Sequence, residues 1–205
     1  MNAEDVFSKI YDTDFWNGGS GVGSAPETTV VYREFLRRFL DGSGVKSVVD
    51  VGCGDWQLGS LVDWSGVTYT GVDVVPSVIA ANKEKYGSES VQFVQMDVLN
   101  DREALPDTDV LLVKDVLQHW PTVECQSFLR WAARKYEWLV VTNDVSHVRS
   151  SRRLTNSDVK LGGWRPLDVE AKPFGFRSVY VEDYPVLDTW VKRIAVIRSF
   201  EWLRP

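Results

Sequence analysis

Apolar runs alternate with amphipathic segments along most of the chain, and this alternation predicts an α/β sheet. Each run is short and has few polar positions, which is typical of strands that are buried on both faces of a parallel sheet. Five runs predict such strands: Lys46–Val51, Val67–Val72, Val91–Met96, Asp109–Val113 and Trp138–Thr142. Two later runs, separated by Asp183, Tyr184 and Pro185, predict a terminal hairpin: Arg177–Val181 and Trp190–Ile197.

Helices are predicted where apolar residues recur every three or four positions. A helix start is indicated at Pro26, because Ser24 and Glu27 have the spacing of a capping box and proline suits a first helical turn. This helix is predicted over residues 26–41, with Tyr32 outside its apolar stripe. The other predicted helices are Ala3–Ile10, Trp56–Trp64, Pro76–Tyr86 and Thr122–Arg134.

Composition narrows the choice of partner and compartment. The 205 residues are enough for one well-buried core, so a single domain over residues 1–205 is expected, as a monomer or a homodimer. A net charge of −6 opposes binding to bulk nucleic acid, which requires a basic surface. The chain shows no basic leader and no apolar run of membrane-spanning length, and its two cysteines provide no disulfide framework. We therefore expect a cytoplasmic protein that binds neither bulk nucleic acid nor a membrane.

Candidate chemistry begins at the end of the first predicted strand, in the stretch Ser47–Trp56 (SVVDVGCGDW). The strand ends in Gly52-Cys53-Gly54, where the missing Cβ atoms permit a tight turn and close approach of a ligand to the backbone. Asp50 and Asp55 flank this turn, and Gln57 replaces the last glycine of a dinucleotide-binding motif. Two carboxylates disfavour a pyrophosphate, so the turn favours a cationic ligand. An ordinary strand-to-helix turn is the alternative.

The Asp50-x-Gly52-x-Gly54 pattern resembles motif I of the class I S-adenosylmethionine-dependent methyltransferases, although Trp56 stands where that motif usually has a third glycine. The resemblance covers Ser47 to Asn143. It implies a Rossmann-like α/β fold, with a seven-stranded, mostly parallel sheet, helices on both faces and an antiparallel C-terminal hairpin. It also implies S-adenosylmethionine as the cofactor.

The resemblance assigns cofactor contacts to residues at the strand ends. Asp73 follows the second strand and corresponds to the acid that accepts both ribose hydroxyls, although a helix cap is the alternative role for this residue. Asp97 corresponds to the acid that binds the adenine amine, with Met96 and Val98 packing on the ring. The full set of expected cofactor contacts is Asp50, Gly52, Cys53, Gly54, Asp73, Val74, Met96, Asp97, Val98 and Lys114.

Asp115 and His119 follow the fourth strand and are the candidate catalytic residues. Ligands in open α/β sheets bind beyond the carboxyl ends of the strands, so both side chains are expected in the pocket. If the segment is helical, the two residues share a face and the carboxylate can orient the imidazole. His119 is the best candidate for a general base near neutral pH. A purely structural histidine is the alternative.

A Mg²⁺-assisted route is possible but not favoured. Some related O-methyltransferases hold Mg²⁺ with an aspartate after the fourth strand and an Asp-Asn pair after the fifth. Asp115, Asn143 and Asp144 occupy similar places here, but the pair is reversed in order. Oxygen ligands from adjacent strand ends would suit Mg²⁺.

Residues 145–168 are predicted to form a substrate loop, because they are polar and irregular over a length that usually indicates function. This loop includes a basic region made by Arg149, Arg152, Arg153, Lys160 and Arg165. The expected substrate-binding residues are Asn143, Asp144, Trp164, Arg165 and Asp168. By the resemblance, residues 1–25 form a lid and residues 46–144 the cofactor-binding core, with residues 177–205 as the terminal hairpin.

The predicted function is methyl transfer to the oxygen or nitrogen of a small polar or anionic acceptor, such as a sugar or a natural product. The fourth strand is not followed by the N/D-P-P-Y/F tetrad of enzymes that methylate adenine or glutamine amides, which further disfavours a nucleic-acid base. Two alternatives remain open: a methyltransferase of protein or RNA, and a non-catalytic protein that binds S-adenosylmethionine.

Overall fold

The computed structural model describes residues 2–147 and 155–199. Within these ranges its α-helices are α1 (Ala3–Asp12), α2 (Val30–Ser43), α3 (Pro76–Tyr86), α4 (Val98–Asp101) and α5 (Thr122–Lys135). Its strands are β1 (Ser47–Val51), β2 (Thr68–Asp73), β3 (Val91–Gln95), β4 (Val110–Lys114), β5 (Trp138–His147), β6 (Tyr180–Val186) and β7 (Trp190–Arg198). No helix in the two described ranges combines the length and the apolar content needed to cross a membrane.

The chain folds into two compact units that divide between Thr108 and Asp109. In the first unit, β2 pairs in parallel with β1 and with β3. In the second, β4 and β5 are parallel, whereas β7 is antiparallel to β5 and to β6. The seven strands make a mixed sheet. This confirms the predicted Rossmann-like α/β fold with an antiparallel C-terminal hairpin, while the single domain over residues 1–205 stays a prediction.

The parallel strands are fixed by burial on both faces. Val48, Val49 and Val51 of β1 are at most 1% exposed, and residues 110–113 of β4 are at most 2% exposed. Such β-branched and leucine side chains pack well on a pleated surface. The residues that follow these strands are therefore held by rigid elements.

The segment after β1 is not the α-helix predicted over Trp56–Trp64, because Trp56 adopts a left-handed backbone with φ of +58°. Only a short 3₁₀ turn forms, at Gly59–Leu61. The Trp56 ring is buried against Tyr69 and Phe93, and a methyl group at Gly59 would collide with it. The indole thus fills the core of the first unit.

The helix predicted over residues 26–41 begins later, as α2 at Val30. Thr28 and Thr29 donate their hydroxyls to the carbonyl of Ala25, which holds this stretch as a turn. Ser24 closes a 3₁₀ turn and does not cap the helix. Tyr32, predicted to lie outside the apolar stripe, is 1% exposed. The helix ends at Ser43, before a left-handed Gly44.

Strand β5 is longer than predicted, because β7 pairs with it from Trp138 to His147, with an irregularity between Asp144 and Ser146. Asn143 lies opposite Arg193, and Asp144 lies opposite Lys192. Both residues therefore belong to the strand, whereas the sequence had placed them after it. Alternation along a strand directs their side chains to opposite faces.

The terminal hairpin turns at Leu187 and Asp188, both with positive φ. Asp183, Tyr184 and Pro185 were predicted to separate the two strands, but they lie within β6. β6 has one strand partner in the described residues, and proline is tolerated in such an edge strand. The second strand of the hairpin ends at Arg198, and residues 200–205 of the predicted hairpin lie outside the described residues.

The left-handed backbone at Trp56 leads to a prediction about two variants. Trp56→Ala and Trp56→Gly both lose the buried ring, at a cost of about 3–5 kcal/mol in the free energy of unfolding. Glycine adopts positive φ without strain, so we expect the free energy of unfolding of Trp56→Gly to equal that of Trp56→Ala or to exceed it by up to about 1 kcal/mol. Urea denaturation measures the difference, and an alanine variant that is clearly the more stable of the two would contradict the argument.

Candidate functional site

In the first unit, the turn after β1 is held against β2. The backbone N–H groups of Gly52 and Cys53 both donate to the carbonyl of Val72, at 2.7 and 3.1 Å. Gly52 and Gly54 have φ of +73° and +57°, a conformation that favours glycine. The turn therefore has the conformation that its two glycines predict.

Asp73 connects the end of β2 to this turn. Its carboxylate accepts the backbone N–H of Gly54 at 3.0 Å and that of Val75 at 3.0 Å. Burial raises the pKa of Asp73, and the two N–H donors oppose this rise. Val75, not Asp73, precedes helix α3 as its N-cap. The side chain thus lies at the glycine turn, beside the backbone that a ligand would approach.

The N-terminal segment folds onto the same turn. The Ser20 hydroxyl accepts the backbone N–H of Asp55 at 2.9 Å and lies 2.7 Å from the Tyr11 hydroxyl. Asp55 in return accepts the backbone N–H of Ser20. A methyl group at Gly54 would collide with the Ser20 hydroxyl. Burial and the nearby Asp73 raise the pKa of Tyr11, so its phenol stays protonated.

Two further predicted cofactor contacts are Asp50, in β1, and Cys53, in the turn itself. Asp50 accepts the Tyr69 hydroxyl at 2.7 Å. Burial, followed by the charges of Asp73 and Asp50, raises the pKa of the Cys53 thiol well above its ordinary value. Cys53 is therefore a neutral thiol packed against Gly71.

The candidates after β3 occupy a helix start. Asp97 caps the short helix α4 by accepting the Leu99 N–H at 3.1 Å, and it also accepts the Asn100 side chain at 2.8 Å. Val98 is buried, whereas Met96 is half-buried. The carbonyl of Val74 accepts the side-chain amide of Gln95. Asp97 is thus a helix cap, and its contact with the adenine amine stays a prediction.

In the second unit, four charged side chains form a buried cluster: Lys114, Asp115, Asp144 and Lys192. The Lys192 ammonium lies 2.5 Å from Asp115 and 2.9 Å from Asp144. Lys114 pairs with the other oxygen of Asp115. Burial opposes ionisation of Asp115, but the two ammonium groups outweigh it and lower its pKa to about 2. Burial also opposes the charge on Lys192, but Asp115 and Asp144 raise its pKa.

Asp115 and His119 do not share a helical face. Asp115 has a left-handed backbone with φ of +59°, and only a 3₁₀ turn at Leu117–His119 follows it. His119 lies 2.7 Å through Nδ1 from the carbonyl of Gly163. Because a carbonyl can only accept, Nδ1 carries the hydrogen, and a neutral ring then has its lone pair on Nε2. Burial lowers the pKa of His119, against the effects of Gly163, Asp115 and Asp144.

The predicted magnesium ligands do not fit a magnesium ion in this arrangement. The ammonium of Lys192 occupies the space between the carboxylates of Asp115 and Asp144. Asn143 directs its side chain to the other face of β5. In residues 2–147 and 155–199, no three His, Cys, Asp or Glu side chains group as metal ligands.

Two predicted substrate residues are engaged in contacts within the unit. Arg165 is 2% exposed and donates to the carbonyls of Leu117 and Gln118, both at 3.1 Å. Asp168 pairs with Arg193 at 3.0 Å. Both side chains stabilise the loop, and the sequence had interpreted them as contacts to an acceptor.

Trp164, in contrast, is 38% exposed, and its contact with an acceptor stays a prediction. Its indole N–H donates to Asp144 at 3.3 Å, and its ring lies 4.5 Å from that of Trp190. Of the predicted basic region, Arg149, Arg152 and Arg153 lie outside the described residues.

Sequence reasoning missed several members of these two sites. Lys192 on β7 is a member of the buried charged cluster, and Trp190 on the same strand contacts Trp164. In the first unit, Ser20 contacts Asp55 of the glycine turn and Tyr11. A lysine inside the apolar run Trp190–Ile197 was the available signal, because a lysine in a buried strand requires a partner.

Comparison with known proteins gives a domain match and structures of similar fold. Residues 48–137 match a family model described as a methyltransferase domain. No curated protein matches the sequence. The magnesium protoporphyrin IX methyltransferase ChlM from Synechocystis PCC 6803, solved with bound SAM, aligns with a TM-score of 0.65 at 14% identity, over 97% of this chain and 98% of ChlM.

Two larger proteins share the fold over part of their length. The mitomycin 7-O-methyltransferase MmcR aligns with a TM-score of 0.59 at 20% identity, over 83% of this chain and 54% of MmcR. Human N-acetylserotonin methyltransferase, in complex with SAM, gives a TM-score of 0.55 at 16% identity, over 95% of this chain and 60% of that protein.

The environment of His119 predicts a depressed pKa that proton NMR can measure. One of the two histidine ring resonances should titrate below the ordinary value of 6.5 and should disappear in His119→Asn. His147→Gln is the matched control for the assignment. Because the folded-state pKa is the lower one, the histidine contributes stability above pH 6.5, and this contribution is lost as the pH falls through the folded pKa. A His119 resonance that titrates at 6.5 or above would contradict the buried, neutral ring.

Proposed function

Because the chain carries a class I S-adenosylmethionine-dependent methyltransferase domain, we propose that its first unit binds the cofactor through Gly52, Gly54, Asp73 and Asp97. The observation that carries this proposal is the Asp73 carboxylate, which is buried at the glycine turn. A carboxylate oxygen has two lone pairs, so one that accepts a backbone N–H can also accept a hydroxyl. The two oxygens suit the two adjacent hydroxyls of a ribose.

Other residues of the first unit suit the rest of the cofactor. The negative charges of Asp50 and Asp55 favour the cationic methionine end over a phosphate. Asp97 offers an acceptor for the adenine amine, and the adjacent Met96 is accessible to pack on the ring. When bound, the cofactor would supply a methyl group attached to a sulfonium, for attack by the acceptor at the methyl carbon; the electron pair of the carbon–sulfur bond would stay on sulfur.

In the second unit, we assign the role of general base to His119. The bond from Nδ1 to Gly163 fixes the tautomer in which Nε2 can take a proton. A depressed pKa keeps this ring neutral near pH 7, as a base requires. Asp115, held ionised by two lysines, favours the imidazolium that forms after proton transfer. His119 would therefore receive the proton of an acceptor hydroxyl.

We propose a small molecule with a hydroxyl group as the acceptor. The name of MmcR specifies O-methylation, and a basic Nε2 suits a nucleophile that carries a proton. The acidic net charge opposes a nucleic-acid partner. A protein that binds the cofactor but never turns it over is the competing function, and binding without turnover of any acceptor would favour it.

The ribose assignment can be tested by calorimetry with S-adenosylmethionine and its demethylated product. Asp73→Ala should weaken binding about a hundredfold, because two hydroxyls lose a charged acceptor. Asp73→Asn keeps the shape of the side chain but not its charge, so its affinity should lie between those of the wild type and Asp73→Ala. Asp101→Ala, a change at another aspartate of the same unit, is the control. Unchanged affinity in Asp73→Ala, with an intact fold by circular dichroism, would remove the assignment.

We also propose that the segment Tyr11–Ser24 covers the bound cofactor, as the contacts of Ser20 suggest. Ser20→Ala removes the hydrogen bonds of this hydroxyl with Tyr11 and Asp55, so cofactor affinity should fall by roughly tenfold, mainly through faster dissociation. Stopped-flow displacement measures that rate. Thr13→Ala removes a hydroxyl bond to the carbonyl of Lys9 in α1 and should leave the rate unchanged. An unaltered rate in Ser20→Ala would indicate a leader without a covering role.

A further inference from the structure

An aromatic platform stands beside the buried charges of the second unit. Trp164 is 38% exposed, although it is a large apolar side chain. Its ring meets that of Trp190 at an angle of 65°, so the two rings form a corner. Edge-to-face pairs of this kind can accept a third ring at a favourable angle.

The backbone around Trp164 is fixed on both sides, so this exposure is not the result of a loose loop. We call residues 162–165 the anchored segment. Gly162 donates to the carbonyl of His119, and the carbonyl of Gly163 accepts from the His119 ring. Arg165 holds the other end through its backbone N–H and its guanidinium, which both donate to Gln118.

The side chain of Trp164 is also oriented. Its indole N–H donates to Asp144, a member of the charged cluster. In addition, a methyl group at Gly163 would lie 2.9 Å from the carbonyl of Lys160, so a glycine is needed where the segment bends. The structure thus holds a large ring in one orientation while a third of its surface stays open. Rigid aromatic side chains of this kind are typical of ligand sites.

The charges near the platform pair with one another. Asp115 and Asp144 share the Lys192 ammonium, and Lys114 completes a cluster of two acids and two bases. Arg165 and Asp168, the residues that suggested an anionic acceptor, have partners within the unit. These pairings favour an acceptor without a permanent charge.

Resting on the proposed function, we propose that the acceptor is an uncharged aromatic hydroxyl compound whose ring packs on the Trp164–Trp190 corner. The hydroxyl then lies at the side of the platform where Asp144 and the His119-bearing turn meet the anchored segment. Methyl transfer to this oxygen gives an aryl methyl ether, and the hydroxyl proton passes to Nε2 of His119. Ring stacking, and not a charge, selects the substrate.

The test uses calorimetry on the full chain saturated with S-adenosylhomocysteine, which allows binding without turnover. The probes are 2-naphthol, its saturated counterpart decahydro-2-naphthol, and methyl glucoside. We expect 2-naphthol to bind roughly threefold to tenfold more tightly than the saturated alcohol, because only the aromatic ring gains the stacking geometry. Equal or weaker binding of 2-naphthol, or preferred binding of the glucoside, would overturn the proposal.

Variants of Trp164 test whether this residue causes the preference for 2-naphthol. Trp164→Ala should weaken 2-naphthol binding roughly tenfold or more and remove the difference between the two alcohols, whereas Trp164→Phe should retain most of it. Tyr180→Ala, at an exposed aromatic residue of the same unit, should change neither. Retained discrimination in Trp164→Ala would overturn the proposal. If the proposed function itself is wrong, the wild type will not bind S-adenosylhomocysteine. The binding of 2-naphthol is then measured in the absence of S-adenosylhomocysteine.

Discussion

The arrangement of the second unit depends on one buried ammonium, that of Lys192. It neutralises Asp115, which follows β4, and Asp144, which lies on β5, and it reaches both from β7. Removing one partner of such a buried group typically costs about 3–5 kcal/mol, because the remaining charges stay buried without compensation. The left-handed backbone of Asp115 is tolerated because this network and the bond from its N–H to Thr142 hold it in place.

The first unit is organised by a different constraint, the close approach of backbone segments at the glycine turn. Gly54 lies between the Asp73 carboxylate and the Ser20 hydroxyl, with no room for a side chain. Trp56 accepts a strained backbone conformation because its ring contributes to the core. The same left-handed conformation explains why motif I usually has a glycine at this position.

The sequence predicts the sheet well, because an uninterrupted β-branched run such as that of β1 packs best as a strand buried on both faces. Prediction from the sequence fails where tertiary packing overrides the local preference of a segment for helix or strand. The segment after β1 has helical composition, but Trp56 turns its backbone away from the helix. Arg165 was predicted to bind the substrate from a polar loop, and only the fold shows that it donates to two carbonyls of the turn before α5. Lys192 was missed because its two partners are far from it in sequence.

The anchored segment contributes both to the tautomer of His119 and to the ring that would contact the acceptor. The carbonyl of Gly163 sets which nitrogen of His119 holds a proton, and the next residue supplies the ring against which the acceptor would rest. An insertion or a new bend in this segment would therefore alter substrate choice and base strength in a single step. Exchanging this loop between relatives would transfer both properties together. A change at Trp190, the other ring of the corner, would alter the contact with the acceptor and leave the bond between Gly163 and His119 in place.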